Sequence, residues 1–93
     1  MTDLRKLARG RACQVRLPCC NHDPATVTLA HYRLSGISGM GMKSPDLIGA
    51  WACSACHDEV DRRTQREPLN VVRMAHANGV FRTQAQLLKE GVL

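Results

Sequence analysis

The sequence predicts a small α+β fold that a bound metal stabilises. Its 93 residues include one Trp, one Tyr and one Phe, so burial of side chains alone would give only marginal stability. Two strand-like segments precede a helical pattern, and five cysteines include a CxxC motif. We expect one domain over residues 1–93. It comprises a basic N-terminal arm or helix (1–12), a zinc-bound ββα core (13–66) and C-terminal helices (67–93).

The N-terminal third of the chain predicts an arm, a loop and a strand. Leu4 and Leu7 lie among basic residues, which permits a short amphipathic helix or an extended arm. Residues 13–24 are rich in Pro, Asn and Asp and predict a loop or knuckle. The segment "ATVTLAHYRL", residues 25–34, has β-branched residues in partial alternation and predicts a strand.

The middle of the chain predicts a long loop, a strand and a helix. Residues 35–46 contain three glycines and a proline without periodicity, which is typical of a functional loop. The apolar residues 47–52 predict a short buried strand. A helix should follow over 54–66, with Ser54 as its cap and Pro68 beyond its end.

The last quarter of the chain predicts two helices, the first ended by Gly79 and the second by Gly91. His76 is expected to be a structural histidine inside this region. The apolar positions expected to face the core are Val71, Val72, Met74, Leu87 and Leu88.

The charge of the chain points to a polyanionic partner. The formal net charge is +5 and the isoelectric point is about 9.3, which favours phosphate contacts. The basic residues cluster within 5–16 and 62–66. Few aromatic residues are present to stack on bases, so DNA binding would depend on charge. We expect no signal peptide and no membrane segment, hence a cytoplasmic protein. The oligomeric state is left open.

The cysteines predict a structural zinc site. Cys53 and Cys56 form the CxxC pair, which supplies two tetrahedral ligands from one turn. Cys13 lies far enough upstream to supply a third ligand, and either Cys19 or Cys20 would supply the fourth. In a reducing compartment, metal ligation is favoured over disulfides. The alternative is that all five are small buried apolar residues.

A second group of residues suggests hydrolytic chemistry. On a helix, His57 and Asp61 are four residues apart and share one face, where they can bind a divalent ion with open positions for water and a phosphate oxygen. His31 can act as a general base. Alternatively, these three residues are only structural. Candidates for offsetting phosphate charge are Arg33, Lys43, Arg62 and Arg63.

Three stretches resemble a known family. "CQVRLPCCN", "LAHYRLSGISGMGMKSPDLIGAWACSACHDEVDRRT" and the terminal "LLKEGVL" are similar to the YbcO-type family of prophage-encoded candidate nucleases. That family falls within the wider HNH or ββα-metal group on a treble-clef zinc scaffold. The similarity covers nearly the whole chain and is most specific between Cys13 and Thr64.

The resemblance implies a complete zinc ligand set. The first cysteine of the family matches Cys13, and the cysteine that directly precedes an asparagine matches Cys20, which favours Cys20 over Cys19. The CxxC of the family matches Cys53 and Cys56.

The resemblance also implies the catalytic residues. The histidine of the first HNH strand, the general base of the wider group, matches His31, and the helical metal histidine matches His57. Asp61 lies where many relatives place a second helical histidine. Two positions depart from the wider pattern: Ala30 replaces a metal-binding residue before the base, and Asp46 is the nearest polar candidate for the missing asparagine.

These matches imply a phage or prophage endonuclease that hydrolyses DNA phosphodiester bonds. Its cofactors would be structural Zn²⁺ and a second divalent ion, namely Mg²⁺, Mn²⁺ or a transition metal. Ala30 favours an alternative, a non-catalytic zinc-stabilised module for DNA binding or recombination. A third hypothesis, a purely structural protein, is disfavoured by the basic clusters.

Overall fold

The computed structural model describes residues 3–33 and 45–93. The expected α+β class is confirmed, because a two-stranded sheet packs against helices. Most of the predicted loop 35–46 lies outside the described residues. The helices and strands, in chain order, are α1 (Leu4–Leu7), β1 (Thr28–His31), β2 (Gly49–Ala52), α2 (Ser54–Val60) and α3 (Leu69–Lys89), with 3-10 turns at Pro24–Thr26 and Asp46–Ile48.

The two strands are antiparallel and shorter than the sequence predicts. Thr28 is opposite Ala52, and His31 is opposite Gly49. Residues 24–26 do not extend β1, because the Asp23 side chain accepts a hydrogen bond from the Ala25 amide and begins a 3-10 turn. Another 3-10 turn precedes β2 directly. Both strands are thus four-residue elements that bring His31 and the CxxC motif to opposite ends of one hairpin.

The start of α2 agrees with the prediction, but its cap does not. Cys53, not Ser54, is the N-cap, and its Sγ accepts a hydrogen bond from the Cys56 amide at 3.4 Å. Ser54 is already the first helical residue, and its amide donates to Thr26 Oγ1 at 3.1 Å. A sulfur that is also a candidate metal ligand therefore caps this helix.

The predicted end of α2 at residue 66 is wrong, because the helix ends at Val60. The buried carboxylate of Glu59 accepts hydrogen bonds from Thr64 Oγ1 at 2.6 Å, the Arg66 amide at 3.2 Å and the Glu67 amide at 2.8 Å. These bonds fold the chain back over the helix end. Arg62 adopts a left-handed conformation with φ of 61°, which no continuing helix contains.

Two C-terminal helices were expected, but α3 is one continuous helix. Gly79 lies inside it and permits close packing, because an added Cβ would lie 3.1 Å from the Gln14 carbonyl oxygen and 3.2 Å from Ala50 Cβ. The predicted stop at Gly91 is confirmed. Gly91 has φ of 74°, and the amide of Val92 donates to the Leu87 carbonyl at 3.0 Å, which is a Schellman ending.

The core lies between β2 and one face of α3. Val72 and Leu87 are buried as expected, whereas Val71, Met74 and Leu88 are exposed by 39%, 66% and 62% and were wrongly predicted to face the core. The Trp51 amide donates to Thr83 Oγ1 at 3.1 Å, which anchors the sheet to α3. The helix therefore buries one face only.

His76 has the structural role that was predicted for it. The ring is buried, and its Nε2 lies 2.9 Å from the Ala30 carbonyl oxygen. Burial lowers the pKa of His76, which favours the neutral imidazole. In the described part of the chain, every helix is too short or too polar to cross a bilayer.

Candidate functional site

Four cysteines form a candidate metal centre. The Sγ atoms of Cys13, Cys20, Cys53 and Cys56 all lie within 4.8 Å of one another, and all four residues are buried. Four sulfurs at about 2.3 Å from one tetrahedral ion would lie about 3.8 Å apart. Cys20 Sγ is already 3.6 Å from Cys53 Sγ. The four sulfurs therefore fit a zinc ion after only a small decrease in the distances between them.

The structure separates the two adjacent cysteines that the spacing left unresolved. Cys20 is buried in the cluster, whereas Cys19 is half-buried and its Sγ is directed to the Ala55 carbonyl oxygen at 3.9 Å. The two side chains lie apart because the chain turns here, and a hydrogen bond from the Cys20 amide to the Leu17 carbonyl oxygen closes the turn. The sulfur of Cys19 is not part of the cluster.

The electrostatics of the cluster also favour a cation. A hydrogen bond from Cys56 lowers the pKa of Cys13 and raises that of Cys56, while burial raises the pKa of Cys20. Hydrogen bonding between the thiols thus stabilises the thiolate of Cys13, whereas the raised pKa values of Cys20 and Cys56 favour their protonated forms. A doubly charged ion would offset the charge of several thiolates at once.

A second feature is a basic cleft of about 540 Å³ beside β1 and α2. It brings together most of the predicted site residues, although Arg62 is absent from its lining. Arg62 instead donates to the Glu67 carbonyl at 3.2 Å and lies 3.9 Å from Glu59. Lys43 lies outside the described residues. The cleft is lined by Arg5, Arg9, Thr28, Leu29, His31, Arg33, His57, Asp61 and Arg63.

His57 and Asp61 have the geometry of a two-ligand site. His57 Nε2 and Asp61 Oδ2 are 3.3 Å apart, which is close to the spacing of two neighbouring ligand atoms at about 2.1 Å from one ion. His57 Nδ1 lies 2.8 Å from Thr28 Oγ1. That contact leaves Nε2 as the ligand atom and orients the ring, as partners of metal-binding histidines commonly do.

His31 is held by a carboxylate. Its Nε2 lies 2.7 Å from Asp46 Oδ1, and Arg5 Nε lies 3.4 Å from the same oxygen. The hydrogen bond with His31, with a smaller contribution from Arg5, lowers the pKa of Asp46. An ionised carboxylate only accepts, so Nε2 carries the proton, and the lone pair of a neutral His31 is then on Nδ1.

Sequence reasoning missed three contributions to this site. Thr28 was predicted only as part of a strand, although its position opposite Ala52, next to the CxxC turn, brings it to His57. Arg5 and Arg9 were treated as a basic cluster without a place in the cleft. Asp46 had been singled out without a role, and its contact with His31 supplies one.

Comparisons with known proteins agree along the whole chain. The family model described as "Putative nuclease YbcO" matches residues 2–92. The chain is 55% identical to proteins of that description from Escherichia coli K12 and from Enterobacteria phage 82, covering 100% of this chain and 98% of each relative.

A solved structure is similar as well. It is described as "Structure of a putative bacteriophage protein from Escherichia coli str. K-12 substr. MG1655", with a TM-score of 0.82 and 49% identity over 96% of this chain and 100% of that one. The extent of these matches shows that the chain belongs to the YbcO family.

Proposed function

We propose that this chain is an HNH-type endonuclease on a treble-clef zinc scaffold, which hydrolyses phosphodiester bonds in DNA with a divalent metal ion. The observation that carries the proposal is that His31 and the His57–Asp61 pair line one cleft together with arginines. A base, a candidate ion site and cations for a phosphate are the parts that such a hydrolysis requires. Both relatives are described as "Putative nuclease", and one of them is from a phage, which supports the proposal.

His31 is the proposed general base. The Nε2–H group of His31 donates to Asp46 Oδ1, which lies 2.7 Å from Nε2, so Nδ1 accepts the proton of the attacking water. The ionised carboxylate also stabilises the imidazolium that forms, as an oriented carboxylate does beside other catalytic histidines. Asp46 is therefore a positioning residue that acts through His31.

The other side of the cleft would neutralise the phosphate. A divalent ion bound by His57 Nε2 and Asp61 would polarise the phosphodiester and stabilise the leaving oxygen. Arg33 and Arg63 line the same cleft and offset the charge that develops on the phosphate. The side chain of Arg63 is 73% exposed and lies 3.6 Å from Asp58, so it can turn towards a DNA backbone at small cost.

One observation favours a second candidate, a zinc-stabilised DNA-binding module without catalysis. The side chain of Ala30 is buried in the sheet opposite Ala50 and provides no ligand atom. The second ion would then have two protein ligands, His57 and Asp61. DNA binding without cleavage under every divalent metal would favour this module.

The DNA-binding part of the proposal predicts a specific loss in Arg63→Ala. We expect several-fold weaker binding to duplex DNA and a salt dependence reduced by about one phosphate contact. Lys89→Ala removes the same charge at the end of α3, outside the lining of the cleft, and should bind as the wild type does. Fluorescence anisotropy with a labelled duplex across a salt series measures both. Equal losses in the two variants would contradict a DNA site at the cleft.

The catalytic part is tested by nicking of supercoiled plasmid with added Mg²⁺, Mn²⁺ or Ni²⁺, with His31→Ala purified in parallel. Nicking by the wild type that the variant lacks supports the enzyme. Equal nicking by both removes His31 from the mechanism.

A further inference from the structure

A second cleft adjoins the first one. Its volume is about 460 Å³, within the range of about 300–1,000 Å³ that ligand sites commonly have. His31, Arg33, Asp61 and Arg63 line both clefts. From these four residues the first cleft extends to α1, whereas the second extends to α3. We call the second one the α3 cleft, and the rest of its lining includes Tyr32, Arg62, Leu69, Val72, Arg73 and His76.

The α3 cleft is strongly basic. Its lining contains four arginines and one carboxylate, that of Asp61. Residues 1–2 and 34–44 contain no Asp or Glu, so every carboxylate side chain of the protein belongs to the described residues. None of these carboxylates forms a salt bridge with Arg33 or Arg73. Two of the four arginines are therefore left without a neutralising side chain, which favours an anionic ligand.

Arg73 is held in place at the α3 side of this cleft. Its guanidinium carbon lies 4.9 Å from the centroid of the Tyr32 ring, and its Nη2 donates to the Arg33 carbonyl oxygen at 3.4 Å. The Tyr32 ring packs in turn on the buried His76, with the ring centroids 5.0 Å apart. The contact with Arg33 uses one of the five N–H donors of a guanidinium. A planar guanidinium held in this way can bind two oxygens of one phosphate.

The composition of the α3 cleft favours a phosphate over a stacked base. Tyr32 is its aromatic ring with the largest face, but Arg73 covers one side of that ring and His76 packs against it. Little of the ring is left for a base to stack on. Charge would therefore supply most of the binding energy for a nucleic acid here.

The shared lining residues indicate which phosphate would bind. Because His31 and Asp61 line both clefts, a ligand in the α3 cleft lies directly beside the phosphate proposed for the first cleft. The phosphates of a DNA strand follow one another at about 3.4 Å along the axis. A strand that occupies the first cleft can therefore continue into the second.

We propose that the α3 cleft binds a further backbone phosphate of the DNA strand that occupies the first cleft, with Arg73 as the main contact. This inference rests on the DNA-binding part of the proposed function. Arg73 holds the strand in place and contributes to affinity, without a part in the chemistry. Arg62 lines the α3 cleft and not the first one, and it adds a weaker contact because it already donates to the Glu67 carbonyl.

Anisotropy of a labelled DNA duplex across a salt series, with zinc-loaded protein, tests this contact. Arg73→Ala should weaken binding several-fold and reduce the salt dependence by about one phosphate contact. The double variant with Arg63→Ala should reduce it by about two, because one strand occupies both clefts.

Arg82→Ala is the matched control. Arg82 lies nine residues further along α3, which is about 180° around the helix, and it lines neither cleft. Its removal takes away the same charge and should leave DNA binding as in the wild type. Thermal unfolding by circular dichroism checks that all variants are folded, since Arg82 also donates to the Gln14 carbonyl.

Arg73→Lys separates a phosphate contact from a purely structural role. Lysine keeps the charge but not the planar fork, so the salt dependence should be retained and the affinity should lie between wild type and Arg73→Ala. If Arg73 only held Tyr32 in place, both substitutions would weaken binding equally and neither would change the salt dependence, which would overturn the inference.

The remaining outcomes distinguish this inference from the proposed function. Equal DNA binding by Arg73→Ala and Arg82→Ala would overturn the α3 cleft contact and leave the nuclease proposal standing. DNA binding without nicking would contradict the enzyme, and the salt series would still decide on the α3 cleft. A wild type that does not bind DNA would overturn both.

Discussion

Cys20→Ser is expected to abolish stoichiometric zinc binding and to unfold the protein at ambient temperature. The sulfur of Cys20 is one of four within 4.8 Å, and its loss leaves buried thiolates without a complete shell. Structural zinc sites of small domains contribute about 10–16 kcal/mol of apparent folding energy, against a total stability of about 5–15 kcal/mol. Zinc content by mass spectrometry and thermal unfolding by circular dichroism measure the two effects.

The adjacent residue provides the control. Cys19→Ser changes the same atoms one position away, at a half-buried sulfur outside the cluster. It should retain one zinc per chain and a melting temperature within a few degrees of the wild type. If Cys19→Ser lost the metal and Cys20→Ser retained it, the proposed ligand set would be wrong. If neither variant changed, the centre would not be a zinc site.

His57→Ala is expected to remove most of the metal-dependent activity and to weaken binding of the second ion by at least tenfold, because Asp61 alone would remain as a protein ligand. Thr28→Val should weaken binding of the ion less than His57→Ala does, since it removes only the hydrogen bond that orients the ring. Binding of Mn²⁺ by electron paramagnetic resonance gives a readout separate from cleavage.

Both variants, His57→Ala and Thr28→Val, should keep their zinc, because the four cysteines are unchanged. Mn²⁺ affinity that is equal in His57→Ala and the wild type would exclude this residue as a ligand, whatever its effect on cleavage.

Local sequence signals were sufficient for part of the fold. The CxxC turn fixed the start of α2, and Gly91 fixed the end of α3, because both depend on a few neighbouring residues. The end of α2 was not predictable in the same way. It depends on Glu59 accepting bonds from residues five to eight positions later, and a buried carboxylate cannot be distinguished from an exposed one in the sequence.

Long-range packing explains the error at Gly79. Glycine after a helical pattern normally predicts a helix end, but here it permits the close approach of α3 to Gln14 and Ala50. The error at Met74 and Leu88 has a different origin. A helix with apolar residues on two opposite faces gives no sequence signal for which face is buried.

In the candidate site, too, the local feature was predictable and the long-range contacts were not. The i, i+4 spacing alone predicted that His57 and Asp61 share a face, and they are 3.3 Å apart. The contacts of His57 with Thr28 and of His31 with Asp46 join residues 29 and 15 positions apart. The antiparallel register and the turn before β2 bring these pairs together, and neither is visible as a motif.

The most direct test of the account is the rate of plasmid nicking by wild type and His31→Ala at equal zinc content, in the presence of Mg²⁺, Mn²⁺ or Ni²⁺. The account predicts metal-dependent nicking by the wild type and a rate about 10²–10⁴-fold lower in the variant, with unchanged DNA affinity. Nicking at the same rate by both proteins, or DNA binding without any nicking by the wild type, would contradict it.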